Sequence, residues 1–168
     1  MSQFGDEWFF VEYRGAKWSK VENPQRGIML LFVGQFQHSL DDKGRLILPA
    51  KFRRDFESGG HLSPNLDGCV ALWTPGEFTR KSVEYLEAGR NGSADERRQS
   101  RFWATNSSEV EIDRQGRFAL PPVIREFGQL EGDVIVAGNL DHIELWNPAR
   151  YAAQVSAAEE TFIRGSDE

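Results

Sequence analysis

Two arginines stand out by type and by spacing. Arg45 lies in SLDDKGRLILP at 39–49, and Arg117 lies in EIDRQGRFALP at 111–121. Each follows a glycine directly, and an aspartate, Asp41 or Asp113, opens each turn. A guanidinium carries a planar fork of donors that fits a guanine edge or a phosphate bidentately. Lys43 and Arg114 place further positive charge beside the pair. Asp41 and Asp113 can accept from backbone N–H groups of their own turns and pair with the arginines, while Gly44 and Gly116 tolerate positive φ. Aspartate and glycine suffice to shape a turn, which leaves the arginines for another task. The chemistry on offer is bidentate contact to a base edge or a phosphate, beside the structural reading in which each pair only braces its own turn.

Groups suited to catalysis do not converge. His38, His61 and His142 lie in distant segments without metal-ligand spacing. Cys69 sits in an apolar run, where a buried and inert thiol is the commoner case. Asp41 and Asp42 are adjacent at a strand end and point to different sides, a poor acid/base pair. DDKGR lacks the further acidic positions of a calcium loop. Phosphate loops, nucleophile elbows and dinucleotide glycine patterns are missing too. The expectation is no enzyme, no cofactor, no metal and no small-molecule substrate.

Composition sets the frame. The chain has 168 residues, enough for one core or two small, closely packed units. Hydrophobic residues make up 39% and aromatics 12%, which excludes global disorder. The single cysteine cannot form an internal disulfide. The longest apolar run, Ile28–Val33, is too short to span a bilayer and lacks a cleavage pattern, so no membrane association is expected. A net charge of −6 argues against a positively coated, unspecific nucleic-acid binder. The positive charge is local instead: Lys43, Arg45, Lys51, Arg53 and Arg54 crowd around the first turn, whereas the C-terminus is acidic.

The elements that must position the arginines come as a tandem repeat. Leu40-Asp41 aligns with Ile112-Asp113, Gly44-Arg45 with Gly116-Arg117, Leu48-Pro49 with Leu120-Pro121, and Arg53 with Arg125. LWTPGEF (72–78) aligns with LWNPARY (145–151) one residue out of step, as a single loop indel would produce. In each copy the pattern predicts a strand (Phe32–Leu40; Glu109–Ile112), the glycine turn, and a second strand (Arg45–Leu48; Arg117–Leu120). Pro49 or Pro121 stops that strand. A short helix follows, with Phe52 and Phe56 facing inward in copy one and Val123 and Phe127 in copy two. A final hairpin ends at Trp73 or Trp146, read as core aromatics.

Helix starts are marked by Thr74-Pro75-Gly76-Glu77, Ser93-Ala94-Asp95-Glu96 and Asn147-Pro148. The first helix is expected to break at EAGRNGS, and Arg97, Arg98 and Arg101 to form a solvated face. The chain therefore divides into a leader at 1–28 (a disordered stretch or a start-site artefact), repeat 1 at 35–78, and a helical linker at 79–106. Repeat 2 follows at 107–150, then a C-terminal helix and acidic tail at 151–168.

FVGQFQHSLDDKGRLILPAKFR (32–53), IDRQGRFALPPVIREF and VAGNLDHIELWNPARY resemble, in this order, the signatures of the MraZ family of bacterial transcriptional regulators. The resemblance covers about 29–155. It implies an α+β, mainly β fold in which two SpoVT/AbrB-like repeats interleave as a swapped-hairpin β-barrel with the paired turns side by side. It further implies a homo-oligomeric ring that binds short promoter repeats at the division and cell-wall gene cluster, usually as a repressor. Carried over by position, the DNA-facing candidates are Arg45, Arg117, Lys43 and Arg114, and the turn-shaping residues are Asp41, Gly44, Asp113 and Gly116. Cytoplasmic, nucleoid-associated localisation follows. Copy two has Gln115 where copy one has Lys43, and Pro122-Val123 for Ala50-Lys51, so copy one is expected to hold phosphate more strongly. The rival reading is a structural or adaptor oligomer whose repeated turns make protein contacts.

Overall fold

Residues 31–165 are described in the computed structural model; the leader at 1–28 and the last residues of the tail lie outside them. Copy one runs through β1 (Gln35–Ser39), β2 (Arg45–Ile47), a 3-10 helix (Ala50–Phe56), β3 (Gly60–Pro64) and β4 (Val70–Trp73). Two helices follow, α1 (Pro75–Asn91) and α2 (Ala94–Thr105). Copy two runs through β5 (Ser108–Val110), β6 (Arg117–Ala119), α3 (Pro122–Gly128), β7 (Asp133–Asn139) and β8 (His142–Trp146), and the chain continues as α4 (Pro148–Arg164). The protein is α+β with antiparallel pairing throughout.

Pairing crosses between the copies. The main sheet has the order β1-β7-β8-β4-β3-β5, and β2 and β6 form a separate ribbon. Exchanging each strand for its repeat counterpart reverses this order and leaves it unchanged. β1 pairs with the second hairpin, Gln35 opposite Ala137, and β5 pairs with the first, Gly60 opposite Val110. β4 and β8 join the hairpins at the centre. The ladder does not close into a barrel among the described residues: β1 and β5 end it, and the ribbon is too short to bridge them because Pro49 and Pro121 follow it closely. The ribbon covers the core instead, with Leu46 and Phe118 facing each other inward. They meet Phe52 and Phe56 of the 3-10 helix, Ile124 of α3, and Leu62, Val70, Val134, Val136, Ile143 and Leu145 of the sheet.

Local departures have local causes. Gly34, at φ +95, interrupts the first strand, so Phe32 makes only an isolated bridge to Leu140 before β1 begins. In copy two Ile124, not Val123, points inward, because Ile124 is the residue that corresponds to Phe52 when Pro49 is matched with Pro121 and Arg53 with Arg125. α1 ends inside EAGRNGS as expected, but only near the far end of that stretch. It continues through Gly89, whose missing side chain admits Ser100 of α2, and Ser100 Oγ donates to the Tyr85 carbonyl at 2.7 Å. The stop comes at Gly92, where an added Cβ would strike the Ala88 carbonyl.

α1 and α2 are fastened to the sheet by stacked rings. His61 lies on Phe78 at 4.1 Å, Phe78 on Trp103 at 5.0 Å, and Trp103 on Tyr85 at 4.4 Å. Ser93 and Glu96 form a reciprocal capping box at the start of α2, and Asn147 caps α4 by accepting from the Ala149 and Arg150 N–H groups. Trp73 and Trp146 are both buried, and Arg97, Arg98 and Arg101 are exposed.

Candidate nucleic-acid interface

The two turns are built alike. Asp41 Oδ1 accepts from the Lys43 and Arg45 N–H groups, each at 2.9 Å. Asp113 Oδ1 accepts from Gln115 at 2.8 Å and Arg117 at 2.9 Å. Backbone bonds close each loop, Gly44 N–H to the Asp41 carbonyl and Gly116 N–H to the Asp113 carbonyl, both at 2.9 Å. Gly44 at φ +70 and Gly116 at φ +80 occupy the left-handed region that side chains disfavour.

The arginines also take part in the turns, through the aspartate pairing that the sequence left open. Arg45 Nε donates to Asp41 Oδ2 and Arg117 Nε to Asp113 Oδ2, both at 2.7 Å. The backbone N–H of Arg45 holds the Asp41 carboxyl below its usual range against a smaller upward pull from burial, and the guanidinium adds to the effect; Arg117 does the same for Asp113. Both aspartates are therefore ionised at neutral pH and fix the Nε edge of each guanidinium. The Nη groups have no partner among the described residues, and the side chains are 31% and 33% exposed.

The ribbon sets both arginines on one face. Arg45 stands opposite Ala119, Leu46 opposite Phe118, and Ile47 opposite Arg117. Opposed residues share a face of the pleat, so Leu46 and Phe118 turn to the core while Arg45, Ile47, Arg117 and Ala119 turn outward. Lys43 and Arg114, both exposed, sit on the turns beside them. Lys51 is directed elsewhere: its ammonium donates to the Val33 carbonyl and lies over the Phe36 and Phe52 rings.

Arg53 and Arg125 carry no expected function beyond their matching places in the repeat. Arg53 packs against Gly116 and Arg125 against Gly44, so each contacts the other copy's turn. The matched position was the only signal for them.

Other reactive groups are absorbed into packing. Burial raises the Cys69 thiol far above its normal range. Burial also lowers the pKa of His38 and His61. His142 lies between Asp141, 2.6 Å from Nδ1, and Glu144, 3.4 Å from Nε2, and is stacked under Trp73 at 4.3 Å. An adjoining cavity of about 280 Å³ is lined by Asn65, Lys81, Asp141, His142 and Glu144, which mostly bond one another or close neighbours. Among the described residues no His, Cys, Asp and Glu cluster could hold a metal ion, and no helix is long and apolar enough to cross a membrane.

The family described as "MraZ protein, putative antitoxin-like" matches residues 31–102 and 104–168, which include both turns. The chain belongs to the MraZ family. Among MraZ relatives, the transcriptional regulator MraZ of Thermomicrobium roseum is 38% identical over 124 residues, covering 74% of this chain and 87% of the relative. The transcriptional regulator MraZ of Natranaerobius thermophilus is 33% identical over 140 residues, covering 82% and 96%. That of Desulforamulus reducens is 35% identical over 138 residues, covering 77% and 93%. The MraZ relatives are named as regulators of transcription rather than as enzymes.

Proposed function

We propose that this chain is a sequence-specific, DNA-binding transcriptional regulator that represses the bacterial division and cell-wall gene cluster. The observation that carries this reading is the outward face of the β2–β6 ribbon. Two guanidinium groups stand there, each oriented through Nε by an ionised aspartate and each with its Nη donors unpaired among the described residues. A pre-oriented fork loses less entropy on binding a base edge or phosphate than a free arginine does. Arg45 and Arg117 are assigned to base edges and Lys43 and Arg114 to the flanking phosphates. The interleaved repeats are a fused form of the swapped-hairpin SpoVT/AbrB module, one chain supplying both halves. Localisation with the nucleoid in the cytoplasm follows from that partner.

The same reading includes a homo-oligomeric ring that engages several short promoter repeats together and so multiplies a modest affinity per subunit. Exposed apolar side chains on α4, Val155, Phe162 and Ile163, supply surface for self-association. Fluorescence anisotropy with the duplex upstream of the protein's own gene tests the proposal. Neutralising about two phosphates per subunit, at Lys43 and Arg114, gives a slope of roughly −1.8 per bound subunit in log Kobs against log salt. Arg45→Ala or Arg117→Ala abolishes operator binding and leaves the assembly unchanged in size-exclusion chromatography. Wild-type affinity in both variants would overturn the assignment of the site.

A further inference from the structure

We infer that Arg53 and Arg125 are positioning residues, each locking the turn of the opposite copy, so that neither aspartate-to-arginine turn is completed by its own half of the chain. Gly44 and Gly116 are the starting point. They sit at the tips of surface turns, after exposed Lys43 and Gln115 and before half-buried Arg45 and Arg117, yet both are buried. What covers them comes from the other repeat. A Cβ built on Gly44 would lie 3.0, 3.1 and 3.2 Å from Cζ, Nη1 and Nε of Arg125. Three nearly equal distances mean that the guanidinium lies face-on to the backbone. On Gly116 the added Cβ would collide with Arg53 Nε and come within 2.7 Å of its Cζ. Glycine is favoured at each tip by its positive φ, and a side chain there would also push the covering guanidinium away, more at Gly116 than at Gly44.

Backbone bonds complete each lock. Leu48 N–H donates to the Gly116 carbonyl at 2.7 Å, and Arg53 Nε donates to the Leu48 carbonyl at 2.9 Å. Leu48 is therefore held at both ends, its N–H by Gly116 of copy two's turn and its carbonyl by Arg53, which itself packs on Gly116. The reciprocal bond runs from Leu120 N–H to the Gly44 carbonyl at 3.0 Å. There Arg125 Nε is buried without a partner, so the lock on copy one's turn is the weaker. Neither guanidinium pairs with a carboxylate among the described residues, so shape, and for Arg53 the Nε donor as well, explains their placement better than charge does. A lysine offers neither a plane nor a donor at that position.

The locking itself stands without DNA; its effect on recognition rests on the function proposed above. Amide hydrogen exchange by NMR on the free full-length protein tests it directly. Arg53→Lys and Arg53→Gln should each raise exchange at Leu48 and at Gln115–Arg117 by about tenfold, leaving Lys43–Arg45 within about twofold. Arg125→Lys should do the reverse, by a smaller factor. Perturbation confined to the variant's own turn, equal perturbation of both turns, or none at all overturns the inference. Binding to the upstream duplex supplies a second arm. Arg53→Lys should weaken it about tenfold with an unchanged salt slope, since no phosphate contact is lost. Full rescue by lysine, with a slope shallower by about one in Arg53→Gln, would make Arg53 a phosphate contact and sink the positioning role. A protein that binds no DNA but shows the crossed exchange pattern would refute the proposed function and leave the lock intact.

Discussion

Replacing Gly138 by alanine should be among the most damaging single-methyl changes in this protein. Gly138 lies in β7 outside the positive-φ positions, so alanine meets no backbone strain of its own. The obstacle is the chain lying across it: the new Cβ would stand 2.6 Å from the Phe32 carbonyl oxygen and 2.6 Å from the Val33 nitrogen. Backbone cannot rotate away as a side chain can, so residues 32–34 must lift. Three hydrogen bonds go with them, Phe32 N–H to Leu140 O at 2.7 Å, Leu140 N–H to Phe32 O at 2.9 Å, and Gly138 N–H to Gly34 O at 2.8 Å.

At about 1 kcal/mol net each, these bonds contribute roughly 3 kcal/mol. Phe32, 1% exposed and edge-on to Phe52 at 5.4 Å, is drawn partly from the core. Full loss of a buried phenylalanine costs about 3–5 kcal/mol, so partial withdrawal adds roughly 1–2. The stiffer unfolded chain returns about 0.4–1 kcal/mol. The expected net loss is about 3–5 kcal/mol, a large share of a typical domain's stability. Urea unfolding followed by tryptophan fluorescence measures it as a fall in midpoint. Gly76→Ala is the control, since no atom lies within 4 Å of its added Cβ in the first turn of α1; it should be neutral or stabilising by less than about 1 kcal/mol. A Gly138→Ala loss below about 1 kcal/mol, or an equal loss in Gly76→Ala, would refute the steric argument.

Three further outcomes follow from features of the fold. Ser93→Ala removes one half of the capping box and should cost about 1 kcal/mol, read as faster amide exchange in the first turn of α2. Trp73→Phe deletes the indole N–H that donates to the fully buried Ser63 hydroxyl at 2.8 Å, and should cost about 1–3 kcal/mol by thermal unfolding. For His142, burial pulls the pKa down but Glu144 and Asp141 outweigh it and hold it above 6.5. Its charge therefore stabilises the fold fully below that pH, and the contribution fades as pH rises through the folded value. His38 and His61, with lowered pKa values, oppose it by favouring the unfolded state once protonated. The gap in unfolding free energy between wild type and His142→Gln should thus shrink from pH 6 to pH 9; a gap that stays constant would contradict the sign.

What the sequence disclosed depended on whether the cause was local. Ser93 with Glu96, and Asn147 before Pro148, announce helix starts because the capping bonds join residues a few places apart. Phe52 and Phe56 face inward as their spacing suggests. The fate of Gly89 was not legible, since its tolerance in α1 is decided by Ser100, a residue of another helix. The engagement of Arg45 with Asp41 was readable as a pairing open to residues four apart, and the closed turn settles it. The arginine locks were further out of reach. Alignment shows that Arg53 and Arg125 correspond, but which glycine each covers depends on how the copies cross. The pairing of β1 with β7 likewise joins segments that local pattern cannot associate. The interleaving was expected from the resemblance to a family rather than from periodicity.

The crossed strand order also has a consequence for synthesis. As the chain leaves the ribosome, β3 and β4 can pair at once, and α1 and α2 can form from neighbouring residues. β2 must wait for β6, and β1 must wait for β7, whose Asp133 lies 96 residues after Gln37. Until then Leu46, Phe52 and Phe56 have no opposite half to bury them. Folding of the sheet is therefore largely deferred until translation is almost complete. A truncated product would carry one half's apolar face uncovered, which makes it a substrate for chaperones and proteases rather than a weaker version of the finished protein.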